Sequence, residues 1–289
     1  MSHNIAVAAR IQDSASRYGN IPRVKQMLDY LGVSVVRTGA VRYRGASSWT
    51  KFEQLARYGD VWFIMTVRDR LSPRQVVEDL DIFAQRFPGK IIGLEGPNEI
   101  DHNPVTWTEP RSGVTYTDSR ADARTWPRAA MGYQKELSDR VGNTRSLRDV
   151  PLVCFSDFQQ EAQRQAGIAL LYNQHPYPRR GSLLSDSLRL EPAQRLQTVI
   201  TETGAPSRPD PRFYPNATTR SQEAFIADAV ERVIDDRMIK YCAFYQLMDN
   251  YKDRTGNNTG GMEYHFGLFD YDYRPKPAAV RLREMLQGR

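Results

Sequence analysis

Residues 90–99 read Lys90-Ile91-Ile92-Gly93-Leu94-Glu95-Gly96-Pro97-Asn98-Glu99, a short apolar run that ends on polar side chains. The run is continuous rather than alternating, the pattern of a strand covered on both faces. Glu99 closes it, and a carboxylate is rarely left at the end of an apolar strand unless it is paired or working. A second stretch of the same kind, Thr198-Val199-Ile200-Thr201-Glu202-Thr203-Gly204, closes on Glu202. Working outward, similar runs occur at 5–9, 33–37, 61–67, 151–155, 168–173 and 241–247. With 90–95 and 198–202 they make eight expected strands.

Helical patterns lie between them, at 21–30, 49–58, 121–141, 159–166, 192–196, 220–237 and 277–286. A further helix opens at Ser72-Pro73-Arg74-Gln75, with an N-cap serine, proline in the first turn and a glutamine placed for a capping box. Eight strands alternating with about eight helices imply a single (β/α)8 TIM barrel over residues 1–289. A doubly wound open sheet is the competing α/β architecture. It wants a glycine-rich phosphate loop after the first strand, and Ala8-Ala9-Arg10-Ile11 has none. Long connections follow the fourth, seventh and eighth strands, at 100–120, 203–219 and 250–274, and read as structureless loops. In a barrel these are the loops at the strand C-terminal ends, where active sites are built.

A chain of 289 residues with 40% hydrophobic content has enough material for a full core. No segment approaches the ~20 apolar residues of a membrane span, and no signal peptide is visible. The net charge is +6, carried mostly by arginine. Without clustered basic residues interleaved with aromatics, nucleic acid is not an expected partner. Cys154 and Cys242 lack metal-ligand spacing and read as buried free thiols, with a disulfide left open. His102, His175 and His265 match no metal-ligand spacing, so neither a metal nor another cofactor is expected.

Barrel closure brings strand exits to one rim. The polar residues there are Arg37, Asn98, Glu99, Asp157, His175, Tyr177, Glu202, Gln246 and Asp249. Glu99 and Glu202, three strands apart in a ring of eight, would face each other across the mouth. Two facing carboxylates are the minimal equipment for cutting a glycosidic bond. Glu95 shares the strand parity of Glu99 and reads as a structural carboxylate one layer deeper, and as the rival acid. Trp49, Trp107, Tyr116 and Trp126 fall in or beside rim loops, where a ring can stack on a pyranose face. Trp107 joins the candidate substrate contacts. Arg42, Arg44, Arg111, Arg179 and Arg180 also fall in rim loops and keep an acidic polysaccharide in view.

The motifs resemble the retaining glycoside hydrolases of clan A, near families 39 and 5. Gly96-Pro97-Asn98-Glu99 resembles the fourth-strand Asn-Glu pair of that clan, and Thr201-Glu202-Thr203-Gly204 its seventh-strand nucleophile motif. His175-Pro176-Tyr177 resembles the sixth-strand element lining the sugar subsite, and Arg37 the second-strand arginine. The stretch from His265 to Asp270, followed by Pro275-Lys276-Pro277-Ala278, resembles the eighth-loop signature. One departure concerns the end of the eighth strand, where many clan members have tryptophan and this chain reads Tyr245-Gln246-Leu247-Met248-Asp249.

The resemblance implies a β-glycosidase acting by double displacement on a poly- or oligosaccharide, with Glu202 as nucleophile and Glu99 as acid/base. Arg37, Asn98, His175, Tyr177, Tyr245, Gln246 and Trp107 would contact substrate or orient the nucleophile. Glu99 is expected to be protonated at rest, because the Glu202 anion disfavours a second charge. The alternatives are a catalytically silent barrel that binds glycans, and a barrel aldolase or isomerase. The latter wants a Schiff-base lysine, a phosphate loop or metal ligands that the sequence does not offer. A monomer is expected, in an extracellular or periplasmic setting.

Overall fold

The computed structural model describes residues 4–13, 16–40, 47–67, 71–122, 126–156, 171–177, 183–184, 197–234, 236–249 and 265–288. Its strands are β1 (Ile5–Ala8), β2 (Val35–Gly39), β3 (Trp62–Val67), β4 (Ile91–Pro97), β5 (Thr106–Thr108), β6 (Thr115–Thr117), β7 (Leu152–Val153), β8 (Tyr172–Gln174), β9 (Thr198–Thr203) and β10 (Ile239–Phe244). Its helices are α1 (Ile21–Leu31), α2 (Ser47–Ala56), α3 (Pro73–Arg86), α4 (Arg128–Gly142), α5 (Thr219–Val233) and α6 (Pro277–Gln287).

Eight strands pair in parallel in the order β7-β4-β3-β2-β1-β10-β9-β8. The two ends meet: Cys154 N–H donates to Leu171 O and Leu171 N–H to Leu152 O, both at 3.0 Å. A parallel bridge joins Val153 to Leu171, so the sheet closes into the expected (β/α)8 barrel. Among the described residues no helix is long and apolar enough to cross a membrane.

Residue alternation sorts the core into two. Outward residues such as Val7, Val36, Phe63, Met65, Ile200 and Phe244 join the helices in one large apolar cluster. Inward residues Ala6, Val35, Ile64 and Ala243 form a small separate cluster within the ring. Helix ends follow local rules. The Ser72–Gln75 capping box is formed at α3, and a second one, Thr218 with Ser221, opens α5. Each such cap stabilises its helix by about 1 kcal/mol.

Three expectations need correction. The connection after β4 contains an antiparallel hairpin, β5–β6, pairing Thr106 with Thr117 and Thr108 with Thr115. The threonines at alternate positions are the strand signal that a loop reading passes over. The helix expected at 121–141 starts at Arg128, because Pro127 sits at its N-cap and proline is not accommodated in a helix interior. Asp118, leaving the hairpin, caps that helix by accepting from Ala129 and Ala130 N–H at 2.8 and 2.9 Å. Trp49 lies in the core rather than at the rim, packed edge-on to Phe83 with centroids 5.5 Å apart. The helices expected at 159–166 and 192–196, together with Asp157, Arg42, Arg44, Arg179 and Arg180, lie outside the described residues.

Candidate active site

Two residues beyond the inward apolar cluster, the same faces of the strands turn polar. Arg37 on β2, Thr66 on β3, Glu95 on β4 and Thr201 on β9 meet inside the upper barrel. Glu95 is fully buried and accepts from Arg37 Nε at 2.9 Å, Arg37 Nη2 at 3.0 Å, Thr66 Oγ1 at 2.6 Å, Thr201 Oγ1 at 3.0 Å and Asn173 Nδ2 at 3.3 Å. Burial alone would raise its pKa. The Arg37 cation and the donors around it outweigh burial and hold the carboxyl well below the usual range. Glu95 is therefore an ionised structural base under the rim, and unsuited to the rival acid role.

Above it stands Glu202 at the end of β9. Its Oε2 accepts from Arg37 Nη1 at 2.5 Å and its Oε1 from Tyr177 Oη at 2.6 Å. Burial and the charge of Glu202 raise the Tyr177 phenol, so it remains a donor. Arg37 Nη2 also donates to Asn98 Oδ1 at 2.6 Å. Gly204 follows because the chain passes close to β10: a Cβ there would lie 2.2 Å from the Tyr245 carbonyl oxygen.

Glu99 leaves β4 with φ +47°, a left-handed conformation that a non-glycine residue adopts at a cost. Ser156 sustains it. Its Oγ accepts from Glu99 N–H at 2.8 Å, and its backbone bonds Ile100 N–H at 3.0 Å and Pro97 O at 3.2 Å. The turn presents the Glu99 carboxylate to His175, whose Nδ1 is 3.1 Å from Oε1. A carboxylate oxygen of Glu99, one of Glu202 and a ring nitrogen of His175 all lie within 4.8 Å of one another. The Glu99 and Glu202 side chains keep 23% and 12% exposure, so both carboxylates remain open to the mouth. A cation would find Arg37 and a protonated imidazole already neutralising this cluster.

The resting protonation differs from the sequence expectation. Burial opposes charge on His175, but hydrogen bonds and charge from Glu95, Glu99 and Glu202 prevail and lift its pKa to about 9. Burial likewise pushes Glu99 up, and the bond to the His175 cation outweighs it, so the Glu99 pKa falls. At neutral pH the proton resides on the imidazole, with Glu99 as its carboxylate partner.

The structure thus gathers Arg37, Asn98, Glu99, His175, Tyr177 and Glu202. Tyr245 is half-buried beside them, edge-on to Phe266 at 5.6 Å, and its peptide bond to Gln246 is cis. Gln246 has no exposed surface and accepts from Tyr18 Oη at 3.3 Å. Trp107 sits on the hairpin, stacked on Tyr116 at 5.9 Å, with its indole N–H donating to Glu136 on α4 at 2.7 Å. Asp249 is buried against Lys276 at 2.7 Å. Trp126 is 52% exposed beside the first turn of α4.

Sequence reasoning gave no role to Thr66, Ser156, Asn173 or Phe266. Phe266 meets Tyr177, Tyr214 and Tyr245 edge-to-face at 5.9, 5.9 and 5.6 Å and so props two rim tyrosines. Strand parity would have pointed Thr66 into the barrel. Ser156 carried no signal of its own, and Phe266 stood out only as a member of the stretch 265–270.

No family profile matches the chain, and no curated protein sequence matches it. Solved structures do. A β-glucuronidase from an uncultured Clostridium species superposes with a TM-score of 0.66 at 14% identity, covering 99% of this chain and 50% of that one. A GH2 β-galacturonidase from Eisenbergiella tayi, bound to galacturonate, gives 0.63 at 12% identity over 99% of this chain and 51% of its own. A β-glucuronidase from Ruminococcus gnavus, in complex with D-glucuronic acid, gives 0.62 at 14% identity over 98% and 49%. At such identities the likeness is one of fold, and this chain spans about half the length of these proteins. They are named as uronidases, whereas the sequence motifs resemble families 39 and 5. What fold and site define is a (β/α)8 barrel with two open carboxylates at its strand C-termini.

Proposed function

We propose that the chain is a retaining glycoside hydrolase acting on β-glycosidic bonds, with Glu202 as nucleophile and Glu99 as acid/base. The observation that carries this reading is the approach of the Glu99 and Glu202 oxygens to within 4.8 Å. An approach of single oxygens to this distance fits the ~5–5.5 Å carboxyl spacing of retaining enzymes better than the ~6.5–9.5 Å that inverting enzymes leave for a water.

The division of roles follows from the partners. Glu202 has Arg37 on one oxygen and Tyr177 on the other, which orients the carboxylate as a nucleophile. It attacks the anomeric carbon and forms a covalent glycosyl ester. Glu99, coupled to the protonated His175, supplies a proton to the leaving oxygen and later removes one from the attacking water. Asn98, with Oδ1 tied to Arg37, turns its amide nitrogen to the sugar 2-hydroxyl. Tyr245, braced by Phe266, forms the aromatic wall of the innermost subsite. Gln246, with no exposed surface, supports the site from beneath, and Trp107 packs on α4 through Glu136, so neither is counted as a sugar contact.

The substrate class is a poly- or oligosaccharide carrying anionic sugars. Support comes from the net charge of +6 and from the uronic acids named in the superposing structures. The test is incubation with neutral and acidic polysaccharides and with aryl β-glycosides, including β-glucuronides and β-galacturonides. Fragments are read by mass and the first-formed anomer by NMR. Release of the β-anomer supports the proposal, and an α-anomer defeats double displacement. Binding without cleavage across the panel would leave a catalytically silent glycan-binding barrel.

A further inference from the structure

His175 is 2% exposed and lies between two carboxylates of the same strand and its exit. Its Nδ1 meets Glu99 Oε1 at 3.1 Å, and its Nε2 is 2.7 Å from Thr201 Oγ1 and 3.6 Å from Glu95 Oε1. Thr201 Oγ1 in turn approaches Glu95 Oε1 at 3.0 Å and Asn173 Oδ1 at 2.8 Å, so it accepts from the ring and donates onward. The ring therefore has an acceptor at each nitrogen, the arrangement that suits an imidazolium.

We propose that His175 stores the acid proton for Glu99, and that the buried Glu95 is the positioning residue that keeps it there. The proposal rests on the acid/base role of Glu99 given above. The charges facing His175 are Glu95 and Glu99 from β4 and its exit, Glu202 from β9 and Arg37 from β2, with the neutral Tyr177 after β8. Three carboxylates against one guanidinium leave two negative charges in one partly buried cluster, and a proton on His175 halves that excess. The raised imidazole pKa of about 9 agrees with this balance.

The proton then moves as follows. Substrate covering Glu99 removes water and disfavours the separated charges. The Nδ1–H bond breaks, an O–H bond forms on Glu99, and a neutral imidazole and a carboxylic acid remain. Glu99 gives this proton to the leaving oxygen as the C1–O bond breaks toward that oxygen and the Glu202 O–C1 bond forms. In the second half, water oxygen bonds C1 and expels Glu202. Its proton passes to Glu99 and back to Nδ1. Glu95 stays ionised throughout and touches no substrate.

The test is a 15N-histidine NMR titration of the folded chain without substrate, the four histidines being assigned by single replacement. His175 is expected to hold both ring protons at pH 7.5 and to titrate near about 9. Glu95→Gln should lower that midpoint by roughly 1–3 pH units, the effect of removing a close opposite charge. Thr201→Val keeps the Glu95 charge and removes the Nε2 acceptor, so it should lower the midpoint less, and it serves if Glu95→Gln does not fold. The basic limb of kcat/KM on an aryl β-glycoside should move with the titration. A neutral His175 at pH 7.5 in the unaltered chain, or a midpoint unmoved by both variants, overturns the proposal. The expected titration without any turnover would overturn the glycosidase reading, and with it the acid role of the stored proton, while the imidazolium held by Glu95 would stand.

Discussion

Arg37 meets the buried Glu95 through two parallel hydrogen bonds, Nε to Oε2 at 2.9 Å and Nη2 to Oε1 at 3.0 Å. This fork fixes the guanidinium plane and aims Nη1 at Glu202. One ion pair below the rim thereby sets the orientation of the Glu202 carboxylate, the proposed nucleophile, above it.

Arg37→Met is expected to strand the Glu95 charge in the barrel. Removing one partner of a buried pair costs about 3–5 kcal/mol, so unfolding in denaturant should move to clearly lower concentration. Arg37→Lys keeps a charge and loses the fork. It should stay folded while kcat on an activated aryl glycoside drops by at least about tenfold. A Lys variant with unchanged kcat would show that Glu202 needs no such orientation.

Glu202→Gln should reduce turnover by on the order of 10⁴-fold or more, since the amide is no nucleophile. The replacement preserves volume and can still meet Tyr177, so the melting temperature should stay close to that of the parent chain. Near-parental rates in a rigorously purified variant would remove Glu202 from the nucleophile role.

Glu99→Ala should slow poor leaving groups most, because these depend on protonation. Azide should restore rate on activated substrates and yield a β-glycosyl azide, identified by its anomeric coupling. Equal losses on good and poor leaving groups, with no azide product, would contradict the acid/base role.

Stability should depend on pH in the alkaline range. The His175 pKa rises from 6.5 to about 9 on folding. Its contribution is therefore complete below about pH 6.5 and disappears as pH climbs through about 9. At 1.36 kcal/mol per pH unit this amounts to on the order of 3 kcal/mol. Chemical denaturation between pH 6 and 10 should show that decline, and His175→Gln should flatten it.

Much of the barrel was legible locally. The eight apolar runs of the sequence correspond to the eight strands of the ring, because parallel strands covered on both sides are written as continuous apolar segments. The Ser72 capping box was readable because its partners stand three residues apart. The hairpin β5–β6 was not, since three-residue strands leave too short a pattern. The true start of α4 was in the sequence, in Pro127, which the helix expected over 121–141 ran through.

The sequence by itself determined which carboxylates end strands, and hence which ones a closed barrel would bring to its rim. Only the tertiary structure decided their protonation and partners. That Glu99 leans on His175, that Glu95 underlies both His175 and Arg37, and that Ser156 sustains the φ of +47° are facts about side chains far apart along the chain. Charge and hydrogen-bond energies fall off within a few ångströms and depend on burial, so they are fixed by neighbours in space, which periodicity and motif spacing do not encode.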